Sequence, residues 1–243
     1  VKPPKLLVDC DFFVYRAASA TEEEHEYNEE LTVIVGNFTE AKRIVRSELK
    51  NLQERFDSKD ILLAFTDRVN FRKQIEPTYK GNRIKRKPAG YLKLKQWAMS
   101  EYESVMKPGL EADDVIGILS TNQSFESFVV ISPDKDMEQL PVRLYNLKDE
   151  FNQSPEAARR KLFEQCLTGD QTDGYGGCPG VGPKKADLIL NKVKGGDYWP
   201  AVVETYQAAG KTADDALKTL RLARILQASD WDSDKQEPIL ITP

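Results

Sequence analysis

Histidine and cysteine are scarce in this 243-residue chain: there is one histidine, His25, and the three cysteines, Cys10, Cys166 and Cys178, lie far apart with no paired spacing. A zinc site built on His and thiolate, a Ser-His-Asp triad and a disulfide scaffold all lack their parts. A reducing cytoplasm is the compartment this usage implies. Long apolar runs are missing as well. No stretch approaches the ~20 residues that span a bilayer as a helix. The apolar start Leu6-Leu7-Val8 is broken at once by Asp9 and Asp11, so neither a membrane partner nor a secretion signal is expected. Net charge is small, with 35 Lys and Arg against 39 Asp and Glu. Taken alone, that balance argues against a nucleic-acid partner.

The balance conceals segregation. Between Arg68 and Lys95 stand ten basic residues and a single acid, Glu76. Such a run is either a solvated face or a surface that meets something anionic. Short apolar runs rich in branched residues predict strands at Lys5 to Val8, Ile61 to Phe65 and Phe128 to Ile131, with a weaker one at Val142 to Leu147. Helical periodicity falls between them, at Asn37 to Arg55, Ala89 to Val105 and Ala112 to Thr121. Alternation of this kind predicts an α/β fold with a mostly parallel central sheet and flanking helices. After about residue 153 the pattern turns helical: Pro155 to Cys166, Pro183 to Lys192, Tyr198 to Ala208 and Thr212 to Gln227. The expected division is therefore an α/β core over 1–153 and a helical region over 154–243.

Acids sit where the strands end. Asp9 closes the first run, Asp67 follows the second and Asp134 the third, which gathers three carboxylates at the edge where open α/β sheets place their sites. Tighter groups follow: Glu111 with Asp113 and Asp114, Asp134 with Asp136, and Asp170 with Asp173. Positions three apart share a helix face, so these acids would repel one another without a counter-charge. Turn chemistry and helix-dipole complementarity account for one or two of them. With His and thiolate ligands wanting, divalent cations such as magnesium or manganese are the simplest partners for the rest, and such ions commonly work on phosphates.

Four strings carry a resemblance. Residues 71–83 (FRKQIEPTYKGNR), 110–119 (LEADDVIGIL), 132–140 (SPDKDMEQL), and 168–170 with 180–186 (TGD, GVGPKKA) resemble, in order, the phosphate-steering segment, acidic helix, third metal motif and helix-three-turn-helix of the flap endonuclease and 5′-nuclease superfamily. The chain looks most like the free-standing 5′-3′ exonucleases of short-tailed bacteriophages. The resemblance implies a PIN-like core with an arch or clamp at about 71–110, and a metal-dependent hydrolase acting on DNA. It implies two Mg²⁺ or Mn²⁺ ions about 3.5–4 Å apart, Asp9, Asp67, Glu111 and Asp113 serving one and Asp134, Asp136, Asp170 and Asp173 the other, with Asp114 direct or through water and Asp11 behind them.

By the same resemblance, Lys80 and Arg83 act at the scissile phosphate, Arg72 meets DNA and Tyr79 stacks a terminal base. Gly180 and Gly182 offer backbone N–H groups to duplex phosphates, with Lys184 and Lys185 beside them and a potassium ion at the turn. The implied partners are double-stranded DNA with a 5′ end or flap, and RNA-DNA hybrids, in the cytoplasm of the infected host cell. Ten of the 39 acids belong to these motifs, which leaves 29 against 35 bases for the remaining surface. Two other readings exist. Asp9-Cys10-Asp11 resembles the nucleophile motif of haloacid-dehalogenase phosphatases, and the glycine turn alone would suit a non-catalytic DNA-binding module; both leave most of the acids without a role.

Overall fold

The computed structural model describes residues 3–122 and 128–243. In chain order the elements are β1 (Lys5–Asp9), α1 (Cys10–Ala20), β2 (Glu22–Asn28), β3 (Leu31–Gly36), α2 (Phe38–Arg55), β4 (Ile61–Ala64), α3 (Arg72–Ile75), α4 (Tyr91–Glu101), β5 (Ser104–Val105), α5 (Ala112–Ser120), β6 (Phe128–Ile131), β7 (Arg143–Tyr145) and β8 (Glu150–Asn152). They continue as α6 (Pro155–Thr168), β9 (Gly169–Asp170), β10 (Tyr175–Gly176), α7 (Pro183–Leu190), α8 (Trp199–Ala208), α9 (Ala213–Ala223), β11 (Trp231–Asp232) and β12 (Glu237–Pro238).

The main sheet runs β5-β4-β1-β6-β7-β8, parallel except for β8 against β7. Its central strands are continuous apolar runs because helices cover both faces. On one face Leu6, Val8, Leu63 and Ile131 pack with α1, α2 and α4; on the other Leu7, Leu62, Ala64 and Val130 pack with α5. From β1 the chain builds β4 on one side and β6 on the other, which makes the end of β1 the switch point of the sheet. A third cluster joins α6, α7, α8 and α9 around Cys166, Leu167 and Val202.

Three features depart from the pattern. Residues 10–20, for which no element is expected, form α1, whose buried stripe Cys10, Phe13, Val14, Ala17 and Ala18 lies on the sheet. Residues 22–36 form the hairpin β2–β3, acidic on one strand and with Tyr27, Leu31, Ile34 and Val35 exposed. The last helix stops at Ala223 rather than Gln227, and Ile225, Leu226 and Trp231 return to the cluster under β1 and α5. The tail thus crosses the division expected at residue 153. No helix among the described residues is long and apolar enough to cross a membrane.

Candidate active site

Parallel register sets Val8 beside both Leu63 and Ile131, so the ends of β1, β4 and β6 lie together. The first turn of α5 enters the same place, with Glu111 at the N-cap and Asp113 and Asp114 following it. A cleft of about 430 Å³ opens there, lined by Asp9, Asp11, Glu111, Asp113 and Asp134 together with Lys80 and Arg83.

Each carboxylate has a distinct environment. Asp9 accepts a hydrogen bond from Ser132 Oγ at 2.9 Å. Burial, reinforced by Asp11 and Asp134, pushes its carboxyl up to about 7. Burial and the neighbouring Glu111 and Asp114 drive Asp113 upward as well. Glu111 goes the other way: burial opposes its ionisation, but Lys80 and Arg72 outweigh that and hold it at about 2. Among the described residues, Glu111, Asp113 and Asp114 bring carboxylate oxygens within 4.8 Å of one another.

The second set is more open. Asp134 is exposed and accepts from the Asp136 N–H at 2.9 Å. Asp136 keeps one oxygen, Oδ1, buried without a hydrogen-bond partner, and burial followed by Asp134 raises its carboxyl to about 6. Asp170 closes its own turn by accepting from Thr172 and Asp173 N–H at 2.6 and 3.2 Å. Asp173 accepts from Tyr79 Oη at 2.9 Å and pairs with Arg83 and Lys80. No trio from this set meets the 4.8 Å spacing.

Four residues expected to meet a ligand are engaged inside the protein. Asp67 does not line the cleft: its oxygens accept from the Arg68 and Gly109 N–H groups at 2.7 and 2.8 Å, stapling two turns, and the Gly109 bond lowers its carboxyl. Asp114 belongs to the carboxylate trio, but both of its oxygens are already engaged. It takes both Arg72 Nη groups at 2.6 and 2.8 Å as well as the Glu111 and Leu226 N–H groups. Arg72 is 2% exposed and cannot reach DNA. Tyr79 is equally buried, its ring beside Tyr175 and its hydroxyl between Glu111 and Asp173, so its ring face is covered in this structure. In each case an internal partner consumes the group assigned to a ligand.

Asp11 lines the cleft beside Asp9 and is itself bound by Thr66 N–H at 2.6 Å, Tyr91 Oη at 2.8 Å and Lys95 at 3.1 Å. Ser132, Thr66, Tyr91 and Lys95 are therefore site residues that the motifs did not single out. Lys80 holds a left-handed backbone, φ 55°, fixed by its N–H donating to the Asp173 carbonyl at 2.7 Å. That turn aims its ammonium at Glu111 and Asp173.

A second surface lies at the start of α7. Gly180 takes φ 71°, a left-handed conformation suited to glycine, and neither Gly180 nor Gly182 has any atom within 4 Å of where a Cβ would stand. Val181 between them is anchored in the helical cluster, while Lys184 and Lys185 are exposed. The turn thus presents open backbone beside two cations, which is the requirement for holding a phosphate without reading a base.

The model of the 5′-3′ exonuclease N-terminal resolvase-like domain matches residues 4–165. The exodeoxyribonuclease of Enterobacteria phage T3 is 29% identical, over 98% of this chain and 92% of that protein. The exonuclease of Escherichia phage T7 is also 29% identical, over 98% and 93%. In fold, the chain is similar to the phage T5 5′-exonuclease solved with zinc, at a TM-score of 0.65 and 17% identity, covering 90% of this chain and 89% of that one. With its parallel sheet, its cleft of carboxylates and this match over two thirds of its length, the chain belongs to the 5′-3′ exonuclease family.

Proposed function

We propose that the chain hydrolyses DNA phosphodiesters from a 5′ end, using two divalent cations of the Mg²⁺ or Mn²⁺ class. The observation that carries this reading is the surplus of enclosed carboxylate at the sheet's switch point: Asp9, Asp113 and Asp136 all have ionisation suppressed, and one Asp136 oxygen lacks any partner. An all-oxygen donor set of this kind fits a hard cation. Asp9, Glu111 and Asp113 would hold one ion and Asp134, Asp136, Asp170 and Asp173 the other. Asp114 and Asp67 support their neighbours. When bound, such ions supply an activated water and stabilise the leaving oxygen.

The protein's own groups do the rest. Lys80 and Arg83, now paired with Glu111 and Asp173, stand at the cleft mouth where a phosphodiester arrives, and they offset charge that develops there. Gly180, Gly182, Lys184 and Lys185 grip the duplex behind it by its phosphates, with potassium at the carbonyls of the same turn. Residues 81–87, exposed and rich in Lys and Arg, border the entry path. The substrates of this reading are duplexes with a 5′ end or a 5′ flap, and RNA-DNA hybrids. The products carry a 5′ phosphate and a 3′ hydroxyl.

End-labelled blunt, flapped, nicked and hybrid duplexes, digested with magnesium and with excess EDTA, test it. Early release of short 5′-labelled products that stops in EDTA is expected. Early loss of the 3′ label, or undiminished cutting in chelator, refutes the assignment.

A further inference from the structure

Five consecutive residues at the end of α9 each give one backbone group to the underside of the site. The Leu222 carbonyl accepts from Arg72 Nε at 3.0 Å, that of Ala223 from Gln139 Nε2 at 2.8 Å, and that of Arg224 from Arg72 Nη2 at 2.6 Å. The Ile225 N–H then donates to Gln139 Oε1 and the Leu226 N–H to Asp114 Oδ1, both at 3.1 Å. A helix leaves its last carbonyls without intrahelical partners. Here two side chains, Arg72 and Gln139, each 2% exposed or less, supply most of the missing bonds.

From there Arg72 reaches the carboxylates of α5 directly, and Gln139 reaches Gln165 beside Asp136. Arg72 grips Asp114 with both Nη groups and lies 3.3 Å from Glu111. Gln139 Nε2 also donates to Gln165 Oε1, and the Gln165 amide lies beside the Asp136 carboxyl, where it favours the ionised form. The same strip of chain presses on α5 directly: a Cβ on Gly117 would stand 2.1 Å from the Leu226 carbonyl oxygen. Stability alone does not call for this arrangement, since a buried ion pair is often no more stable than an apolar packing of the same volume.

We propose that Leu222–Leu226 is a positioning segment that fixes both carboxylate sets at once, through Arg72 to Glu111 and through Gln139 and Gln165 to Asp136. The proposal rests on assigning those sets to divalent cations. It makes Arg72, Gln139 and Gln165 positioning residues, and it makes the end of the helical region part of the site at the sheet. Partners that orient metal-binding side chains commonly change metal affinity ~10-fold or more when removed. Arg72 serves four acceptors from one planar fork, which a lysine cannot reproduce.

The test uses the full chain and Mn²⁺ alone, with binding measured by calorimetry without DNA, and folding followed by circular dichroism. Arg72→Lys, Gln139→Met and Gln165→Met are compared with Val202→Ala, a core truncation in α8 that removes none of these hydrogen bonds. The three network variants are expected to bind Mn²⁺ ~10-fold more weakly, while Val202→Ala lowers Tm and leaves Mn²⁺ affinity as it was. Should Arg72→Lys or Gln139→Met fail to fold, Gln165→Met, at the edge of the network, decides. Wild-type affinity in folded network variants, or an equal loss in Val202→Ala, overturns the proposal. Failure of the wild-type chain to bind Mn²⁺ at all would instead refute the metal assignment beneath it.

Discussion

Asp9→Asn should make the metal-free protein more stable while abolishing its turnover. The Asp9 carboxyl ionises near 7 in the fold and near 3.8 outside it, first because it is enclosed and then because Asp11 and Asp134 stand close. A group raised in this way favours the folded state below its unfolded value and loses that contribution as pH climbs through its folded value. Above about pH 7 the ionised Asp9 therefore costs the fold up to about 4 kcal/mol. Asp9 retains some solvent contact, so about 2–4 kcal/mol is the reasonable range. Asparagine removes the charge and can still accept the Ser132 hydrogen bond. For a chain of this length the gain corresponds to a Tm rise of roughly 5–12 °C.

The assay is thermal unfolding followed by circular dichroism in EDTA, at a series of pH values from about 5 to about 8. The advantage of the variant should be less than half its full size near pH 5 and should grow toward neutrality. Asp136, raised to about 6, and Glu111, lowered to about 2, titrate in both proteins and largely cancel in the difference. Magnesium should stabilise the wild-type chain more than the variant. A variant less stable than wild type near pH 8, or equally favoured at both ends of the series, would show that Asp9 is not a strained carboxylate and would remove the main electrostatic argument for a cation beside it.

The sheet and most helices are legible in the sequence because they depend on period and composition, and buried parallel strands such as Ile61–Ala64 and Phe128–Ile131 are simple apolar runs. Helix α1 escapes because it starts at Cys10 directly after β1 with no loop between them, and Asp9 reads as the turn that ends a strand rather than as the residue that opens a helix. The hairpin β2–β3 escapes because Glu22–Asn28 is nearly all polar and mostly exposed, leaving no alternation to detect. At the site, strand-end position finds Asp9 and Asp134 but cannot tell a carboxylate facing a cleft from one spent on its own backbone. Asp67 is of the second kind, while Asp114, in the first turn of α5, is spent on Arg72. Motif position finds Arg72 and Tyr79 but not their direction, which depends on partners about a hundred residues away or more: Leu222 and Arg224 for one, Asp173 for the other. The network of Gln139, Gln165 and the end of α9 has no local signature at all, since five backbone groups with no residue preference form half of it.

Lys80→Ala should lower the single-turnover rate with little change in duplex affinity, whereas Lys184→Ala should weaken duplex binding and flatten its salt dependence; equal binding defects and unchanged rates in both would reduce Lys80 to part of a general basic surface. Gly117→Ala sets a helix-propensity gain of about 1 kcal/mol against a Cβ placed 2.1 Å from the Leu226 carbonyl, and overpacking on backbone should win, for a net loss of about 1–2 kcal/mol in denaturant unfolding. An unchanged or raised midpoint would mean that the tail yields easily. Tyr79→Phe separates the two possible uses of that ring. The hydroxyl sits 3.0 Å from Glu111 and 2.9 Å from Asp173, and its removal takes a donor from two carboxylates, a change of about 1.5–3 kcal/mol for a hydrogen bond to a charged group. Turnover should therefore fall at least ~10-fold with DNA affinity preserved, because the buried ring never meets a base. A phenylalanine variant with normal turnover would show that the aromatic face, not the hydroxyl, is what the site uses, and that the side chain leaves its pocket to stack on DNA.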